Sequence, residues 1–121
     1  MAVKNYRELI VWQKSREAAT EIYSLVKKLP KEEIFALSDQ MRRAAVSIPS
    51  NIAEGQARNS TKEFLQFLAI ARGSTAELET QLLLCVQVGY LAPTDISALM
   101  DKLQEVSKML NVLTKTLSTA H

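Results

Sequence analysis

In this 121-residue chain, two sets of polar side chains have the types and spacing that chemistry would need. Arg43, Ser47, Asn51 and Glu54 step by four, four and three, which places them on one flank of a helix. Glu77 lies one helical turn beyond Gly73, where a close neighbour could meet it. A carboxylate at Glu54 or Glu77 could serve as general acid or base if a cleft between subunits raised its pKa. Neither has supporting groups at the required spacing. The only histidine is His121, the last residue, so no Glu-x-x-His pair exists for a metal-bearing bundle, and no Ser/His/Asp or Cys/His arrangement can form. Cys85 alone cannot make a zinc site. The glycines stand singly at 55, 73 and 89, which excludes a phosphate-cradling loop. The residues therefore predict no catalytic group, no cofactor, no metal and no small-molecule substrate. Glu54 with Arg58, and Asp39 with Arg42 or Arg43, fit ordinary helix-surface ion pairs. Asn is a poor residue inside a helix, so Asn51 should bond something specific, either a neighbouring helix or a partner, and an inter-helix hydrogen bond is the expectation for both Asn51 and Glu77.

These side chains need helices to position them, and the apolar spacing supplies four. The first runs from about Tyr6 to Leu29, with Trp12, Ser15, Ala19, Ile22, Val26 and Leu29 inward, and Pro30 ends it. Trp12 belongs to this core stripe and reads as packing. The second spans Ile34 or Ala36 to Ala57, with Leu37, Met41, Ala44, Ile48 and Ile52 inward. Ser60 and Glu63 form a capping box for the third, whose stripe is Phe64, Leu68, Ala71, Thr75, Leu78, Leu82 and Cys85, closed by Gly89. Pro93 opens the fourth, with Ile96, Leu99, Leu103, Val106, Leu110, Leu113 and Leu117 inward. Helices of ~35–40 Å joined by short loops pack as an antiparallel bundle crossing at about 20°. The expected fold is all-α: one domain over residues 1–121, an up-down-up-down four-helix bundle.

Fifteen basic and thirteen acidic side chains leave a net charge of +2. The excess sits near the start, where residues 1–31 hold seven Lys or Arg against Glu8, Glu17 and Glu21. Lys14, Arg16, Lys27, Lys28 and Lys31 are the candidate nucleic-acid contacts within it, a modest patch that gains force if an oligomer repeats it. A single cysteine fits a reducing compartment, and the opening MAVKNYRELIVWQ has no apolar run, so a cytoplasmic protein without a membrane span is expected.

The second and third helices carry an unusual outer side. Val46, Ser50, Ala53 and Ala57 form one line of small residues; Ala69, Gly73, Ala76 and Thr80 form another. A solvated face is ordinarily filled by Lys, Glu and Gln, and glycine inside a helix costs about 1 kcal/mol relative to alanine. Small residues let another backbone approach closely, so the two lines are read as a subunit interface. Pro49 lacks an N–H and crowds the carbonyl of Ala45, which predicts a kink or break in helix two that lets the outer line bend around a neighbour.

The strings YRELIVWQKSREAATEIY and LSDQMRRAAVSIPSNIAEGQARNSTKEFLQFLAIARGSTAELETQLLLCVQVGYL closely resemble a bacterial four-helix-bundle family. That family is known from reading frames inside 23S rRNA intervening sequences and from accessory variability proteins of diversity-generating retroelements. The likeness spans about residues 6–91; its most specific segments are RRAAVSIPSNIAEG (42–55) and GSTAELE (73–79). It implies a short antiparallel bundle assembled as a homopentameric ring. In the accessory members it implies a basic outer surface that binds nucleic acid and contacts a reverse transcriptase. Those members are markedly basic, and this chain, at +2, is not. The resemblance carries over no catalytic residues. Its signature positions Arg42, Arg43, Pro49, Asn51, Glu54, Gly55, Gly73, Ser74 and Glu77 read as bundle and ring architecture.

The expectation is a non-enzymatic homo-oligomer, a pentamer, that acts as an interaction module for structured RNA or other nucleic acid, RNA or DNA. The alternatives are a protein-only adaptor and an acid–base enzyme using Glu54 or Glu77.

Overall fold

The apolar spacing is realised in a computed structural model that describes residues 5–119. Four helices form: α1 Ile10–Leu25, α2 Leu37–Gln56, α3 Thr61–Gln87 and α4 Pro93–Thr119. Single 3-10 turns at Tyr6–Glu8, Val26–Lys28 and Lys31–Glu33 flank α1 and lead into α2, and no strand occurs among the described residues. His121 and Lys4 lie outside the described residues.

The helix ends depart from the sequence expectation for identifiable reasons. Asn5 Oδ1 accepts the Arg7 amide at 2.9 Å, which closes a separate turn at Tyr6–Glu8 and leaves Leu9 extended, so α1 begins at Ile10 and not Tyr6. At the other end Leu29 precedes Pro30 and is pushed to extended backbone, ψ 153°; the last turn tightens and the Leu29 amide reaches the Val26 carbonyl at 3.1 Å. The α2 start has a carboxylate cap, with the Leu37 amide donating to Glu33 Oε1 at 3.2 Å. The Tyr90 hydroxyl donates to Glu33 Oε2 at 2.7 Å and ties this loop to the α3–α4 turn. Ser60 caps α3 by accepting the Glu63 amide at 3.1 Å, and its hydroxyl donates to the Glu63 carboxylate. Gly89 ends the α3 region at φ +88°, which lets the Tyr90 amide fold back onto the Cys85 carbonyl at 2.8 Å. Through Pro49 the helix does not break: α2 is continuous from Leu37 to Gln56.

Each helix packs on two others, α1 and α3 both lying against α2 and α4. The inward stripes meet as a core that includes Ile22, Met41, Ile48, Ile52, Leu68, Leu78, Leu82, Leu103 and Leu110, all fully buried. Each such side chain contributes roughly 1.5–3 kcal/mol by leaving water. Buried hydroxyls are satisfied locally: Thr75 donates to the Ala71 carbonyl at 2.8 Å and Ser15 to that of Trp12 at 2.9 Å.

Side-chain pairs fix the register. Along α1 and α4 the ion pairs are Lys14–Glu105 (3.1 Å), Lys102 with Glu17 (3.5 Å) and with Glu21, and Lys28–Asp95 (3.0 Å). One helix's numbers rise as the other's fall. Across α2 and α3 the matched positions are Gly55 with Phe64 and Phe67, Ser47 with Ser74, and Met41 with Cys85.

Candidate interaction surfaces

The polar flank of α2 is occupied by local bonds. Arg43 Nε donates to Asp39 Oδ2 at 2.9 Å, and Arg42 donates to the Ile34 carbonyl at 3.1 Å while lying 3.9 Å from Asp39. Asn51 was expected to bond a neighbouring helix. Its amide instead stays on α2, donating to the Ser47 carbonyl at 2.7 Å and to Ser47 Oγ at 2.9 Å. Ser47 makes the crossing, with its hydroxyl 2.7 Å from that of Ser74 on α3. The reason is reach: Asn51 and Ser47 are one helical turn apart, and the shorter serine side chains meet where the two helices approach closely.

Glu54 pairs with Arg58 at 2.9 Å, and that guanidinium also lies 4.8 Å from the Phe67 ring centroid. Glu77 is exposed and accepts from Gln81 Nε2 at 3.3 Å, within its own helix and not across to another. The two carboxylates an acid–base mechanism would call on thus sit on different helices in ordinary i, i+4 contacts. No group of three or more metal-ligating side chains occurs among the described residues. A groove of about 450 Å³ between the start of α1 and the end of α4 is lined mainly by Leu9, Ile10, Val11, Met109, Val112 and Leu113. Among the described residues that line it, Glu8 and Lys108 are the charged ones. No described helix is long and apolar enough to cross a membrane.

Among the five basic candidates, Lys14 and Lys28 are engaged by Glu105 and Asp95. Arg16, Lys27 and Lys31 are exposed and take part in no ion pair among the described residues. Arg16 lies over Trp12, which is only partly buried, so the tryptophan is both a core contact and a support for a surface cation.

The small-residue lines face outward. Val46, Ser50, Ala57, Ala69, Gly73, Ala76 and Thr80 are exposed, while Pro49 and Ala53 are half-buried. A Cβ placed on Gly73 would meet nothing within 4 Å, so packing within the protomer does not require glycine there. Sequence spacing missed the apolar residues beside this line: Ile70, Leu83, Leu84 and Val88 are all exposed. The run Leu82–Leu84 carried the signal, because three consecutive leucines on a helix cannot all face one core. Phe35, just ahead of α2, is 95% exposed and was also missed.

The model of the 23S rRNA-intervening sequence protein family matches residues 7–112. The chain belongs to this family. A solved relative is a protein with unknown function from the S23 ribosomal protein family of Bacteroides thetaiotaomicron VPI-5482. It is 30% identical, with a TM-score of 0.81 over 88% of this chain and 99% of that one. No functionally curated protein matches the chain. Of the family's signature residues, Gly55 of α2 and Ser74 of α3 lie where the two helices pack, the first against Phe64 and Phe67 and the second against Ser47. Gly55 is the position whose architectural reading is explained at atomic level, since it lies buried against both phenylalanines of α3.

Proposed function

We propose that the chain is a non-enzymatic interaction module: an antiparallel up-and-down bundle, bent at Pro49, that assembles into a homo-oligomer, a pentamer, in the cytoplasm. The observation that carries this reading is the outer face of α3. From Ile70 to Val88 it presents Gly73, Ala76, Thr80, Leu83 and Leu84 to solvent, broken by Glu77 and Gln87, with the Arg72 guanidinium bonded to Asn111 at 3.0 Å. Contiguous apolar surface of this kind is the mark of a face that another chain covers. Gly73, the one helical position where glycine is unneeded by the protomer, is explained if a second backbone lies against it. Replacing Gly73 by leucine should reduce the sedimenting species to protomer mass with helicity unchanged. A profile identical to wild type would overturn the assembly.

The ligand we assign to this oligomer is RNA or other nucleic acid. Arg16, Lys27 and Lys31 are free to meet phosphates, and Arg16 and Lys27, eleven residues apart, fall near one line along the α1 region. The protein-only adaptor is supported by a separate observation. Phe35 stands out of a loop braced by Arg42 and Glu33, which is the form of a protein-docking knob. A partner retained after nuclease treatment, with no RNA retained before it, would favour the adaptor.

A further inference from the structure

Two arginines, Arg7 in the turn ahead of α1 and Arg16 within α1, rest on two aromatic rings. The Arg16 guanidinium carbon lies 4.9 Å from the Trp12 ring centroid, and that of Arg7 lies 5.7 Å from the Tyr6 ring. The two rings meet edge to face, with centroids 5.1 Å apart and planes at 69°. The order across the surface is Arg7, Tyr6, Trp12, Arg16. The array is held in place from below. Asn5 Oδ1 accepts the Arg7 amide at 2.9 Å, Gln13 Nε2 donates to the Arg7 carbonyl at 2.8 Å, and the Trp12 body packs on the core. Both arginines are exposed, and neither takes part in an ion pair among the described residues, whereas Lys14, Lys28 and Lys102 on the α4 side are all engaged.

A guanidinium lying on a ring presents its outer plane to solvent as a flat cation. An unpaired base can stack on that plane, or on the ring once the guanidinium swings to a phosphate. A duplex keeps its base faces covered and cannot use such a surface. We propose that this arginine–aromatic array is a stacking site for unpaired nucleotides of an RNA strand, with Arg7 and Arg16 also pairing its phosphates. The inference rests on the nucleic-acid reading above, and it adds where the strand lies and that the strand must be single.

Trp12 is the only tryptophan of the chain, so emission excited selectively at tryptophan, beyond the absorption of the three tyrosines, reads this site alone. The test titrates the full chain with a labelled oligouridylate of about twelve nucleotides, with a duplex of equal length, and with heparin as a base-free polyanion. The single strand should quench Trp12 emission, and heparin and duplex should leave it unchanged. The double variant Arg7→Gln, Arg16→Gln should weaken oligouridylate binding on the order of tenfold, read by anisotropy, with circular dichroism unaltered. Trp12→Phe, which keeps a ring, should retain most of the affinity. Oligouridylate binding without quenching, or with affinity kept in the double variant, would overturn the stacking site and leave the nucleic-acid reading standing. Equal quenching by heparin would reduce the array to a general anion site and also overturn it. Failure of wild type to bind any RNA would remove both.

Discussion

Gly55 of α2 and Phe67 of α3 are packed so tightly that a Cβ on the glycine would lie 2.7 Å from the Phe67 Cβ. A second atom, Phe64 Cδ1, would lie at 2.9 Å. This contact sets how near the two helices come, and it accompanies the register that brings the Ser47 and Ser74 hydroxyls to 2.7 Å.

Gly55→Ala should therefore destabilise the fold by about 1–3 kcal/mol, because a backbone or a Cβ must move and not the free end of a side chain. Urea denaturation read by circular dichroism measures it. An unchanged midpoint would show that α2 and α3 can part without cost.

Replacing Lys27, Lys28 and Lys31 together by Glu should abolish RNA binding at physiological salt. In wild type, affinity should fall steeply with salt, each phosphate contact adding about 0.7 to the logarithmic slope for a single strand. Filter binding across a salt series tests both. Binding indifferent to salt, or surviving the triple change, contradicts phosphate recognition by this patch.

Asp95 should make stability sensitive to acid. Its carboxyl is held below the ordinary carboxylate range, first by the Ala92 amide, which donates to Oδ2 at 2.8 Å, and then by Lys28. A depressed folded-state pKa stabilises the fold above the unfolded value, about 3.9, and that contribution is lost as pH falls through the folded value. The Tm difference between wild type and Asp95→Asn should be present near neutrality and close below about pH 4. A difference constant with pH would mean the charge plays no part.

Cys85 should resist modification in the native protein. It is fully buried, its thiol is pushed up chiefly by that burial and further by Glu33, and its Sγ lies 3.7 Å from Met41 Sδ. Ellman's reagent should label it only as fast as the bundle opens, and promptly in urea. Rapid stoichiometric labelling without denaturant would place the thiol in an open site.

The core was legible in the sequence because a helical stripe repeats over many turns: Ser15, Ala19 and Ile22, or Leu68, Thr75 and Leu82, are buried as their spacing requires. The pairs Asp39–Arg43 and Glu54–Arg58 were legible because both partners lie on one helix. What depends on two helices meeting was not. The Ser47–Ser74 bond follows from an inter-helix register, and the tight fit at Gly55 follows from rings on another element. Exposed Ile70, Leu83 and Val88 were hidden for the opposite reason: in a pattern of apolar residues, those that face outward are indistinguishable from core until the packing partner is known. The length of α1 was overestimated because periodicity does not register that Asn5 and Pro30 each tighten a terminal turn.

The turn at Gly89 also bears on how α4 is kept with its own chain. The reversal at Gly89 uses a positive φ that a β-branched side chain resists, and it separates two helices of 27 residues each. If it were forced straight, α4 would be carried away from α3, and the charged seam along α1 would be left for the α4 of another molecule. The hairpin at Gly89 is thus the guard against strand-exchange-like swapping of whole helices between copies.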